Sequence, residues 1–185
     1  MLCDYILHYA FATVAGRKAG SLFRVPHSLW DPSELFSLLQ TLQLQCVPVQ
    51  ASRQSILLFL YDPEQVISIT SHGENNRFLT QLGYPKNPVS SLSYLLTKMG
   101  QGASFPHEVG LFLGYPLQDV QGYIKNHGRS SLYTGYWKVY HDVEGAKKRF
   151  ALFDMCKQRC LEARSAGAAP EEILQFISKG NSKMP

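Results

Sequence analysis

The sequence predicts an α/β protein of the α+β type: a single compact domain with a small mixed sheet of three to four strands packed with several capped helices. Three observations carry this. Capping signals precede apolar stripes of helical period at Asp31-Pro32, Asp62-Pro63, Asn87-Pro88 and Asp142. Two extended runs, 46–49 and 55–61, are joined only by Gln50 to Gln54, a connector that demands antiparallel pairing. The 185 residues, 45% hydrophobic and 17% charged, suit one ordinary globular core.

Taken in order, residues 1–23 open on an apolar run that periodicity leaves as either strand or helix. A turn follows at Gly16-Arg17-Lys18-Ala19-Gly20-Ser21. Asp31 caps, Pro32 suits the first helical position and Glu34 falls where a capping box expects its partner. A helix over 32–43 follows, with Leu35, Leu38, Leu39 and Leu42 on one face. Pro48 marks 46–49 as an edge strand, and the unbroken apolar run Ser55 to Tyr61 reads as a buried one. Helices are then predicted after Asp62-Pro63-Glu64, over 74–82, and from Pro88 to Gly100 with Val89, Leu92, Leu95, Leu96 and Met99 inward.

Phe105 to Gly128 holds two short amphipathic helices joined at Gly114-Tyr115-Pro116, an αα corner. Leu132 to Tyr140 reads as one strand, with Tyr136, Lys138 and Tyr140 on one face and Trp137 and Val139 on the other. Asp142 caps a long helix whose buried stripe is Ala146, Phe150, Phe153 and Cys160, and Pro170 to Ser178 forms the last helix. The globular domain is expected over 1–180, with a frayed tail at 181–185.

The net charge of +4 is too mild for a dedicated nucleic-acid coat. The four cysteines make no CxxC and suggest no disulfide framework. The opening lacks the basic region of a signal peptide, and no apolar run is long enough to span a bilayer. A reduced, cytoplasmic protein with no membrane partner is expected.

Several motifs carry chemistry. In the corner, Gly110, Gly114, Val120 and Tyr123 sit near helix-turn-helix offsets, so residues 106–125 can be read as a DNA-binding element displaying Gln118, Gln121 and Lys125. Asp119 on that face and the scarcity of Arg and Lys weigh against nucleic acid. His107-Glu108 lacks the second histidine of the zinc-protease pattern, because position 111 is Leu111, and adjacent helical residues diverge by roughly 100°. Their simpler reading is a solvated helix start. Gly16 to Ser21, with Arg17, Lys18 and Ser21, can cradle a phosphate but lacks the P-loop spacing. Cys156 and Cys160 share a helix face, and packing explains them better than metal or redox chemistry. No metal site is expected, and the sequence assigns no cofactor.

FPHEVGLFLGYPLQDVQGYI, followed by GYWKVY, resembles the paired signature of a bacterial family of proteins of about this length that is defined as a domain of unknown function. The opening HYAFATVAGRKAGSLF and the helix bearing Ala146, Phe150 and Cys156 are similar to other parts of that family. The resemblance implies that His8, Lys18, His107, Glu108, Trp137 and Lys138 occupy motif positions. Tyr9 stands where the family pattern has a cysteine, which argues against thiol chemistry beside His8.

The resulting expectation is a cytoplasmic protein that binds a small molecule or anion, with the question of an enzymatic reaction left open. Its site is drawn from Gly16–Ser21, His107-Glu108 and Trp137-Lys138. Arg17, Lys18, Ser21, Trp137 and Lys138 are its binding candidates, and His8, His107 and Glu108 its catalytic ones. The alternatives are the DNA-binding reading of 106–125 and an interaction module using the basic helix 143–164.

Overall fold

The computed structural model describes residues 2–101 and 105–178. Within them the chain forms two units, one from the residues up to Pro63 together with those from Phe153 on, the other from Glu64 to Leu152.

The first unit is built on three antiparallel strands, β1 (Gly20–Pro26), β2 (Gln45–Ala51) and β3 (Ser55–Tyr61), in the order β1-β3-β2. The apolar run takes the centre: β3 is buried from Ile56 to Tyr61 and pairs with both neighbours. Pro48 lies on the edge strand, and the register shifts between Pro48 and Gln50. The ambiguous opening run folds as α1 (Leu2–Tyr9) and α2 (Phe11–Val14). Leu2, Cys3, Ile6 and Leu7 recur at helical spacing and form the buried face of α1.

Gly16 ends this segment in the left-handed region, at φ 65°. Its N–H bonds the Thr13 carbonyl and that of Arg17 bonds the Ala12 carbonyl, closing a Schellman motif. β1 then begins at Gly20, so the last two residues of the Gly16–Ser21 segment are strand.

The predicted helix at 32–43 is α3 (Pro32–Leu42). Asp31 caps it, accepting from the N–H groups of Ser33 (2.9 Å) and Glu34 (3.1 Å). Glu34 does not complete a capping box; its carboxylate accepts from the Cys3 N–H at 3.3 Å instead.

The second unit contains α4 (Pro63–Ser71, from Glu64), α5 (Gly73–Gln81), α6 (Pro88–Gly100), α7 (Val109–Phe112) and α8 (Leu117–Lys125). It adds β4 (Tyr133–Thr134), β5 (Lys138–Val139) and the part of α9 (Val143–Ser165) up to Leu152. Asn87 and Asp142 cap α6 and α9 as expected, accepting from Ser90 N–H (3.1 Å) and Gly145 N–H (2.8 Å).

Val89 is 58% exposed rather than inward. The buried line on α6 is Ser91, Leu95 and Met99, because Ser91 can bury its hydroxyl by donating to the Pro85 carbonyl at 2.5 Å. The strand predicted over 132–140 is instead the short hairpin β4-β5. It bends at Gly135, where the Phe150 ring packs so closely that a Cβ has no room.

The buried stripe of α9 is as predicted: Ala146, Phe150, Phe153 and Cys160. The chain closes with α10 (Pro170–Ser178), which packs on α1, α2 and α3 in the first unit. The tail expected at 181–185 lies outside the described residues. The class is α+β, with every strand pair among the described residues antiparallel.

Candidate functional site

The αα corner sets up the site. Gly114 takes φ 86° and donates its N–H to the Leu111 carbonyl, while Tyr115 N–H reaches the Gly110 carbonyl, both at 2.9 Å. This Schellman closure ends α7 and turns the chain into α8. Two glycines let the parts approach closely. A Cβ on Gly110 would lie 2.8 Å from Val120 Cγ2, and one on Gly122 would lie 2.5 Å from Tyr140 Cβ and Cγ. Gly122 therefore trades helix propensity for contact.

Asp119 is the anchor. The sequence places it on the exposed face of α8, yet it is 3% exposed. Its carboxylate accepts from Trp137 Nε1–H (2.8 Å), Tyr140 N–H (2.7 Å) and His141 N–H (3.1 Å). Three N–H donors offset the cost of burying this carboxylate. They also fix the indole against α8.

Between the corner and the hairpin lies a half-open cleft of about 270 Å³. Its floor is the Tyr115–Trp137 stack, with centroids 5.0 Å apart and planes at 25°. Phe150 braces the indole edge-on at 4.4 Å, and the Arg149 guanidinium lies 5.9 Å from it. Burial pushes the Tyr115 hydroxyl up to about 12. Val109, Leu113 and Val120 make apolar walls. Besides Asp119, whose carboxylate is taken up by its three donors, and the Tyr115 of the floor, three polar side chains line the cleft: His107 and Tyr123, whose rings are 5.0 Å apart, and Lys138. Lys138 Nζ donates to the Gly128 carbonyl at 2.5 Å, leaving further donors of its ammonium for a ligand.

His107 and Glu108, in the turn that leads into α7, part ways. His107 is exposed and faces the cleft. Glu108 is 6% exposed and accepts from Lys98 Nζ (2.5 Å) and Tyr84 Oη (2.9 Å). Burial alone would raise its carboxyl, but the Lys98 hydrogen bond, its own backbone, Tyr84 and the Lys98 charge together hold it below the usual range. The same burial and carboxylate push the Tyr84 hydroxyl well up. Glu108 is thus a buried ion-pair anchor rather than a solvated helix start, and it does not line the cleft.

The remaining predicted residues lie in the first unit. Arg17 is exposed. Burial lowers Lys18 to about 8. Ser21 is 3% exposed, and its hydroxyl bonds that of Thr13 at 2.8 Å. His8 lines a separate hollow between α1 and α9. Of the predicted set, His107, Trp137 and Lys138 share one cleft.

Sequence reasoning missed Asp119, Tyr115 and Tyr123 as site builders. The signal available was Asp119 itself, an acid on a short helix 18 residues before a tryptophan. It also missed a group in the first unit: the thiol of Cys3 and the carboxylates of Glu34 and Glu171 bring potential ligand atoms within 4.8 Å of one another. Burial first, then hydrogen bonds to both carboxylates, push the Cys3 thiol well above its usual range. No spacing rule connects positions 3, 34 and 171.

Residues 6–174 match the family described as "Protein of unknown function (DUF3793)". The chain belongs to this family. No curated protein and no solved structure matches it. No helix among the described residues is long and apolar enough to cross a membrane.

Proposed function

We propose that this is a ligand-binding protein of the bacterial cytoplasm whose site is the cleft between the corner and the hairpin. Its ligand is a small molecule with a flat apolar body and an anionic group. One observation carries the reading: an aromatic-floored, apolar-walled hollow converges on His107, Tyr123 and Lys138. Concave apolar surface with a few placed polar groups is the common form of a small-molecule site. The aromatic floor suits a planar body, and Lys138 suits an anion. His107 is the group a proton transfer in this cleft would use. Free cysteines throughout the chain fit a reducing compartment.

The experiment is native mass spectrometry of the purified chain, followed by titration of Trp137 fluorescence with aromatic carboxylates. Losing a charge-assisted bond costs about 1.5–3 kcal/mol, so Lys138→Gln should weaken binding about tenfold or more. Tyr123→Phe and His107→Gln should weaken it less. Equal affinity in wild type and all three variants, or no retained and no titrating ligand, refutes the proposal.

The interaction-module reading lacks a continuous patch: Leu152, Met155 and Leu161 on α9 are 50%, 54% and 51% exposed, but at about 100° per residue Leu152 and Leu161 point to opposite sides of the helix. The DNA reading draws less support, since Lys125 alone adds positive charge to the exposed face of Gln118 and Gln121.

A further inference from the structure

α1 and the C-terminal half of α9 border a hollow of about 240 Å³ in the first unit, sharing no residue with the cleft. Asp4 and His8 line it at i and i+4 from α1; Lys157, Cys160 and Arg164 line it at i, i+3 and i+7 from α9. Leu7 and Cys160 are buried and form its apolar floor.

The charges around it divide into used and unused. Arg164 is committed: Nη2 donates to Asp4 Oδ1 at 3.2 Å, and Nη1 donates to the Ala168 carbonyl at 2.9 Å. That pair cancels the hollow's one carboxylate. Lys157 makes no hydrogen bond or ion pair among the described residues, although it is only partly exposed. The His8 imidazole also has no hydrogen-bond partner among them; its ring meets Tyr9 edge-on at 4.6 Å. An ammonium with three donors and an imidazole with at least one therefore face the same hollow, whose one carboxylate, Asp4, is paired with Arg164.

The geometry points to a small-oxyanion site between His8 and Lys157, taking the phosphate or carboxylate group of a small molecule. The anion supplies the acceptor that neither side chain finds within the unit, and the apolar floor beside it strengthens each charged hydrogen bond relative to open water. This gives a role to His8, which lies in the opening block of the family resemblance and outside the cleft. The site stands whether or not the cleft binds anything.

The test is a chemical-shift titration of the full chain with inorganic phosphate, and separately with acetate, at constant ionic strength set by chloride. The expected result is saturable shifts confined to His8 and to 157–164. Lys157→Gln and His8→Gln should each weaken binding about tenfold, Lys157→Arg should restore it, and Lys138→Gln in the cleft should leave it unchanged. Saturation by phosphate alone assigns a phosphate-bearing ligand; saturation by acetate assigns a carboxylate. Shifts that never saturate, or unchanged affinity in Lys157→Gln, overturn the site. So does saturation by an acidic peptide when neither small anion saturates.

Discussion

Replacing Asp119 by alanine tests the architecture of the cleft most directly. The change strands three donors at once: the Trp137 indole N–H, which is buried, and the Tyr140 and His141 N–H groups, which are partly so. A stranded buried donor costs about 1–3 kcal/mol, and the two backbone groups recover part of that from water, so the loss should be on the order of 3 kcal/mol. Against a typical domain stability of about 5–15 kcal/mol that is a large fraction. Asp119→Asn keeps an acceptor for the two backbone groups but turns its amide N–H₂ towards the indole N–H, and should cost about half as much.

The assay is guanidinium unfolding followed by tryptophan emission in a Trp30→Phe background, which leaves Trp137 as the only indole. A red-shifted native emission should accompany the lost stability, because the indole is no longer held against α8. If Asp119→Ala costs under about 1 kcal/mol and leaves the native emission unchanged, the carboxylate does not hold the hairpin and this account of the cleft is wrong.

Two further outcomes follow from the same unit. Gly122→Ala gains about 1 kcal/mol of helix propensity but drives a Cβ to 2.5 Å from Tyr140, an overlap that costs typically about 1–3 kcal/mol, so the melting temperature should fall; a rise would mean that Gly122 is not a contact glycine. Glu108 is held below its reference value of 4.5, so its stabilisation is full above that value and is lost as the pH falls through 4.5 and lower. Lys98 is one-third exposed, which discounts the pair, and Glu108→Gln should cost about 1–2 kcal/mol at neutral pH and flatten the acid limb of a stability-against-pH curve. An unchanged acid limb in the variant would rule that linkage out.

Much of the framework was legible in the chain. Asp31, Asn87 and Asp142 cap where the sequence places them, because a cap depends on a few consecutive residues. The pairing of β2 with β3 followed from the shortness of their connector, and the stripe on α9 from its period. The misreadings share a different cause. Val89 and Ser91 compete for one phase of α6, and a buried acceptor for the serine hydroxyl settles it. The run from Leu132 to Tyr140 has strand composition, but Phe150 over Gly135 folds it back on itself. The opening run becomes helix because its buried residues recur at helical spacing against α10 and the sheet.

For the candidate site, the sequence by itself marked only part of the ingredients. It marked the corner with its two turn residues, the polar positions His107, Trp137 and Lys138, and the absence of local metal or nucleophile spacing. Only the tertiary structure decided how they are used. It buried Asp119 by giving it three donors from a hairpin far along the chain, and it sent Glu108 to Lys98 and Tyr84 while leaving His107 at the cleft. It also set His8 opposite Lys157. The physical reason is common to all of these: whether a charged side chain is a solvated surface group, a structural anchor or a ligand contact depends on which donors and apolar walls reach it, and those arrive from residues tens of positions away.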